Sequence, residues 1–355
     1  MKPHHSLITP RQWLRQNLFS DPFSSATTVL LLAAGLYWLP GLVDWLLLKA
    51  VFRADANACR ALDHAGACWG VVAEKYRMIL FGRYPYTEQW RPLLASSLLL
   101  LTLFFSWRRG FGWRGVLSAG LLALTAFVVL MRGGVLGLEV VGSDLWGGLP
   151  LTLLLTALGM LLAFPLSLLI AIIRTSQNVW LTLPRSLCLL YVELVRGVPL
   201  ISVLFLASFL FPLLLPPGVS IDTLIRVQIA IALFAAAYLS ETLRGGLQSV
   251  SPGQSEAAAS LGLTPWQSLR WIVLPQALRA CIPSILNSAV SLFKDTSLVT
   301  IVSLYELTGS LSLALAGDPE WRSFALEGYL FIGLIYWIGC YGMSRFGARL
   351  ERGQN

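Results

Sequence analysis

Charge is what this sequence has least of. Only 12% of its 355 residues are charged, against roughly 25% in an ordinary soluble domain. Hydrophobic residues make up 56%, and the mean hydropathy is +0.70. A soluble core could not hide that much apolar side chain behind so thin a polar coat. The composition therefore excludes an ordinary cytosolic enzyme, a disordered chain and a disulfide scaffold. Lysine is scarce: Lys2, Lys49, Lys75 and Lys294 are all there are, and none follows a glycine. That removes a Walker A loop. Histidine is limited to His4, His5 and His64, with no C-x-x-C and no zinc-ligand spacing, so no metal site is expected. A G-x-S-x-G elbow is also missing. No residue stands out as catalytic.

What is present is a series of long apolar runs, near 27–48, 92–107, 115–131, 149–173, 198–215, 223–243, 275–293 and 325–344. Each approaches the ~20 residues that cross a bilayer. The first is too long for a signal-peptide core and lacks a small-residue cleavage site, so it reads as an uncleaved helix. The expectation is an all-α polytopic membrane protein with about eight transmembrane helices and a non-spanning stretch near 295–324.

The net charge is +8 with a pI near 9.5. The basic residues sit in short loops between apolar runs, as expected of loops facing anionic lipid, so no nucleic-acid partner is expected. With the N-terminus inside, 15 of the 26 Lys and Arg residues fall on the inner side. Seven of the remainder lie in the 49–91 loop, where Asp55, Asp63, Glu74 and Glu88 nearly balance them. Both termini are therefore expected inside and the 49–91 loop outside. That loop carries Cys59 and Cys68. They can form a disulfide if the outer side is oxidising, and are otherwise free thiols. Cys188, Cys281 and Cys340 read as small core residues. Tryptophans near run ends, such as Trp38, Trp107 and Trp146, read as an interfacial belt.

The inner loop at 244–274 has clear local grammar. Ser251-Pro252-Gly253-Gln254 fits a capping box with proline at the first helical position. A short helix would run to Leu261, closed by Gly262 in the left-handed conformation. Thr264-Pro265-Trp266-Gln267 is a second capping box, opening a short helix to about Val273, with Pro275 marking the return to the membrane. A solvated linker needs no such punctuation. Two readings follow: a knob that docks into a cleft on another protein, offering the Glu256 carboxylate, or a structured loop that packs on its own bundle.

The spacing Glu256-Ala257-Ala258, three residues, Gly262, nine residues, Ile272-Val273-Leu274-Pro275 resembles the inner-loop motif of ABC-importer permeases. Trp146-Gly147-Gly148-Leu149 with Thr152 and Thr156, Glu193 to Pro199, Tyr238 to Gly246 with Gln248, and Phe293 to Leu298 look like the polar amino-acid branch of that family. The resemblance covers about 144–350. It implies a type I importer permease core of five helices over 144–355. The core is preceded by a three-helix extension over 1–143, as in the longer permease subunit of general L-amino-acid importers. It further implies no catalysis and no cofactor in this chain. The implied setting is the bacterial inner membrane. The implied partners are an ABC ATPase dimer docked on the loop, a second, shorter permease and a periplasmic amino-acid-binding protein.

Charges at membrane depth are costly and so become candidates for function. Glu193 with Arg196, and Glu241 with Arg244, are i,i+3 pairs and read as interfacial salt bridges. Lys294 and Asp295 end the 275–293 crossing and read either as a structural pair or as part of a substrate path. In the latter case Lys294 would attract a carboxylate, and Glu306 would meet an ammonium group. Two other classes remain in view. A stand-alone secondary transporter or channel would need acidic ion sites within the helices, and a membrane-embedded enzyme or scaffold would need a catalytic cluster; few such residues are seen.

Overall fold

A chain this apolar satisfies its backbone polar groups within helices, since a bilayer offers none. The computed structural model describes residues 9–61, 66–106, 113–135, 137–176 and 178–352. The histidines, Lys2, Asp63, Trp107, Arg108 and Arg109 lie outside the described residues. Among the described residues the regular structure is helical, with isolated bridges at Val51–Cys68 and Gly148–Glu306.

The chain divides into two units, Met1–Glu74 and Lys75–Asn355. In the first, α1 (Pro10–Asn17) opens with a capping box between Thr9 and Gln12. Asp21 caps α2 (Pro22–Val43), whose helical path continues to Leu48. The α2 helix is apolar on all sides and buries no residue within the unit, as a lipid-facing span would. After it, Asp55 caps α3 (Ala56–Arg60). Cys59 and Cys68 are disulfide-bonded, with Cα atoms 5.8 Å apart. Val51 N donates to Ala67 O at 2.9 Å, and Trp69 Nε1 donates to Leu46 O at 2.9 Å, closing the loop on the end of the span. The α4 helix (Gly70–Phe81) carries the chain across the division. Sequence reading left α4 as polar loop, because its apolar residues are interrupted by Glu74, Lys75 and Arg77.

The second unit contains α5 (Trp90–Ser106), α6 (Trp113–Arg132), α7 (Gly148–Thr175), α8 (Thr182–Arg196), α9 (Leu200–Phe205), α10 (Thr223–Ser249), α11 (Pro252–Ser260), α12 (Pro265–Ser268), α13 (Leu274–Asp295), α14 (Leu307–Ala316) and α15 (Ala325–Arg352). The α7 and α10 helices pack along each other at its centre. Leu151, Leu155, Val227 and Ile231 are buried there, with Phe127 and Met131 of α6 in the same core.

Among the described residues six helical segments are long and apolar enough to cross a membrane, and a bent pair, taken as one span, makes seven. The 17-residue α5 packs along α6 and is one residue short of that length. Two boundaries differ from the sequence reading. The crossing expected at 198–215 is the second limb of a pair, Val179–Arg196 and Leu200–Leu214, bent by 104°. Gly197 and Pro199 break it, since proline cannot donate into the preceding turn. The crossing expected at 275–293 is part of one apolar helical path, Pro265–Val302. Pro275 does not interrupt it: the π-helical turn Leu269–Val273 comes directly before α13, and such a wider turn accommodates a residue that cannot donate.

The basic residues of the 49–91 loop also find uses. Arg91 is fully buried. Its Nε donates to Leu130 O at 2.8 Å and its Nη1 to Glu139 O at 2.9 Å. It thereby takes up one carbonyl at the C-terminal end of α6 and ties it to the loop that follows. Tyr84 Oη donates to Met131 O beside it at 2.9 Å. Arg77 lies over the Tyr86 ring, 3.3 Å from its centroid, and Lys75 pairs with Asp318 at 2.7 Å.

Candidate functional site

The bundle end at which α7 and α10 terminate carries α11 and α12. Pro252 starts α11, but the Ser251 side chain makes no capping hydrogen bond. Gln254, expected to complete a box with it, instead accepts from Gln276 Nε2 at 3.4 Å. The first box is therefore not formed; proline and the turn from Gln254 N to Ser251 O, 3.0 Å, suffice to start the helix. Its end follows the sequence closely. Gly262 has φ +79°. Gly262 N donates to Ala259 O at 2.9 Å and Leu263 N to Ala258 O at 3.1 Å, which is a Schellman closure. The Thr264–Gln267 capping box is complete, with both bonds made.

This geometry sorts the motif by face. Ala258 is buried, whereas Glu256, Ala257 and Gly262 are exposed. Leu261 at the tip is 80% exposed, and Trp266 62%. Ile272 and Leu274 are half-buried and Pro275 is exposed. Beneath them a cluster of Leu243, Leu247, Ala277 and Cys281 joins α10 to α13. Gly246 makes the approach possible: a Cβ there would collide with Cys281 Sγ and lie 2.9 Å from Ala277 O.

Glu241 ties three helices together just above that cluster. Arg174 of α7 donates to its Oε1, Arg244 Nη2 of α10 donates to Oε2 at 2.8 Å, and Arg196 of α8 lies 3.9 Å away. The pairing expected between Glu193 and Arg196 is not formed; Glu193 is exposed. Arg196 is the last residue of α8, beside the bend, where it can turn to the carboxylate of another helix.

Deeper in the bundle a cavity of about 500 Å³ lies against α7, α10 and α13. Its polar residues are Tyr238, Asn287, Ser288, Ser291 and Asp295. Asn287, Ser291 and Asp295 fall at i, i+4 and i+8, one face of α13. Sequence reading found Asp295 and missed the other two, although polar residues at that spacing in an apolar run carry the signal. Lys294 is exposed and does not line the cavity.

Glu306 is placed differently from expectation. It is fully buried and caps α14. Its Oε1 accepts from Thr308 N at 2.7 Å, Gly309 N at 3.1 Å and Thr300 Oγ1 at 3.2 Å. Its Oε2 accepts from Thr152 Oγ1 at 3.1 Å and Tyr336 Oη at 2.5 Å. With every lone pair engaged, the carboxylate joins α7, α14 and α15, and the ammonium contact expected of it has no geometric basis. Gly148 completes this junction: its φ is +62°, its N donates to Tyr305 O at 2.9 Å, and a Cβ would strike Leu80 O.

Comparison with known proteins fits this arrangement. Residues 163–355 match the family described as binding-protein-dependent transport system inner membrane component. The chain is 39% identical over 355 residues to the inner membrane amino-acid ABC transporter permease protein YhdY of Escherichia coli K12, covering 98% of this chain and 94% of that protein. It is 34% identical over 406 residues to the glutamate/glutamine/aspartate/asparagine transport system permease protein BztC of Rhodobacter capsulatus, covering 96% and 93%. The probable glutamine ABC transporter permease protein GlnP of Bacillus subtilis is 33% identical, and its match takes in 92% of that protein but 58% of this chain. Among solved structures, the crystal structure of an amino acid ABC transporter with histidines superposes with a TM-score of 0.51 at 28% identity, covering 58% of this chain and 91% of that one.

Proposed function

This chain belongs to the family of binding-protein-dependent transport system inner membrane components, and from that premise we propose that it is the membrane-spanning permease of an ATP-driven amino-acid importer. The observation that carries the proposal is the α11–α12 knob. It presents Glu256, Ala257, Leu261 and Gly262 outward at the family spacing. Local closures at Gly262 and Thr264 give the knob its shape without help from the partner. An ATPase subunit gripping it would move α12 and α13 together, because they belong to one helical path. That motion opens and closes the cavity beside Asp295 to alternate sides. The Asp295 carboxylate suits the ammonium group common to amino acids, and Asn287, Ser288 and Ser291 supply neutral hydrogen bonds to the remainder. The chain itself performs no chemistry; hydrolysis belongs to the ATPase.

Residues 144–355 form the permease core and 1–143 an extension, a division supported by the short relative that matches only part of this chain. A periplasmic binding protein delivers the amino acid, and a second, shorter permease completes the pathway. Both termini face the cytoplasm. The Cys59–Cys68 bond suits the oxidising outer side that this orientation gives its loop.

The test is ATP hydrolysis and uptake by the assembled transporter in proteoliposomes. Glu256→Lys and Gly262→Leu should each insert normally yet lose binding-protein-stimulated hydrolysis. Uptake that persists without ATPase, or wild-type coupling in both variants, overturns the reading.

A further inference from the structure

Gln228 lies on α10 and is 5% exposed, yet neither its Oε1 nor its Nε2 has a hydrogen-bond partner in the protein. A buried primary amide with both ends unmatched is costly. Such groups are found where something else supplies the match. Gln228 lines a cavity of about 600 Å³ between α6, α7 and α10, separate from the one beside Asp295. That volume is within the usual range for a small-molecule site.

The cavity is polar at one end only. Arg132 is the last residue of α6 and Asp222 is the N-cap of α10; both line it and both are exposed. They sit at the bundle end away from α11. Arg132 has no ion pair among the described residues. The Asp222 carboxylate accepts from Ser143 Oγ and from the amides of Leu224 and Ile225, which holds it at the mouth. Below the mouth, Leu154, Leu158 and Leu162 follow one another at four-residue spacing, an apolar wall on the order of 12 Å long. Gln228 stands between, about 9 Å below Asp222 along α10. The wall is open at its side: Leu162 is 43% exposed and Ile229 50%. The cavity is thus open along an apolar side as well as at its polar mouth.

A cation and a carboxylate at the mouth, an amide below them and a long apolar wall match a zwitterionic amphiphile, group by group. We propose that this cavity holds one phosphatidylethanolamine molecule of the bilayer. Its phosphate meets Arg132, its ammonium meets Asp222, an ester carbonyl accepts from Gln228 Nε2, and an acyl chain lies along Leu154, Leu158 and Leu162. The lipid would join α6, outside the minimal core, to two helices of the core.

The test uses the full transporter reconstituted with phosphatidylethanolamine carrying a photoactivatable group in its acyl chain, followed by peptide mass spectrometry. Label should concentrate on 154–162 and 225–229 relative to α2, which buries no residue and serves as the reference for ordinary contact with bulk lipid. Arg132→Gln should lower that label about tenfold, the effect of one charge-assisted hydrogen bond, with α2 unchanged. Leu158→Trp, which fills the cavity without removing a polar group, should do the same if Arg132→Gln assembles poorly. Label on α7 equal to that on α2 overturns the proposal. So does label unchanged in both variants, label displaced by free amino acids, or equal labelling by a phosphatidylglycerol probe.

Discussion

The Tyr336 hydroxyl donates across 2.5 Å to Glu306, thirty positions earlier in the chain. That contact joins the last long helix to the turn that opens α14, and Thr152 extends the junction to α7. A carboxylate holding five donors is a structural joint. Glu306→Ala takes the acceptor from the first amides of α14 and from the Thr300 hydroxyl, while Thr152 keeps Gly148 O, and should cost about 3 kcal/mol. Tyr336→Phe should cost about 1 kcal/mol. Thermal unfolding in detergent measures both. Transport by assembled Glu306→Ala should keep its apparent KM; a rise of about tenfold would return Glu306 to a direct role in binding.

The three guanidiniums around Glu241 are unequal. Arg174 is nearly buried, whereas Arg196 is 39% exposed and 3.9 Å away. Glu241→Ala should destabilise by about 3 kcal/mol, because it strands a buried cation. Arg196→Ala should change stability by about 0.5 kcal/mol or less, as for a surface pair. Equal effects in unfolding experiments would contradict this ranking.

Gly246 permits the contact between α10 and α13 beneath the knob. Gly246→Ala should cost about 2 kcal/mol through overpacking. Adding Cys281→Ala removes the nearer obstacle, Sγ, but leaves Ala277 O 2.9 Å from the new Cβ. The double variant should therefore recover part of the loss. Additive losses, read by thermal unfolding, would mean that the two positions do not touch.

The Cys59–Cys68 bond closes a nine-residue separation. In the chain-entropy account such a loop contributes about 2.5 kcal/mol. Cys59→Ser should leave Cys68 open to a membrane-impermeant thiol reagent and make the loop protease-sensitive. Label on Cys59 or Cys68 of the wild-type protein without a reductant would exclude the bond.

How much of this was legible in the sequence depended on distance along the chain. The closure at Gly262 and the Thr264–Gln267 box are local, and each is made by residues within five positions of one another. The Ser251 box failed because Gln254 had a competitor, Gln276, twenty-two positions away. The environment of Glu306 was beyond reach for the same reason: Thr152 and Tyr336 lie on other helices, and no period or motif links them. Arg196 was assigned to Glu193 by helical spacing, yet the bend at Gly197–Pro199 places it within reach of Glu241. Asn287 and Ser291 were within reach of periodicity but were overlooked beside the charges of Lys294 and Asp295.

The helical path from Pro265 to Val302 has one more consequence. Trp266 on the knob and Asp295 at the cavity occupy the same path, on the order of 40 Å apart. Their bearings around the axis are therefore phase-locked. A single residue inserted between them would turn one face against the other by about 100°, leaving each end intact but out of register.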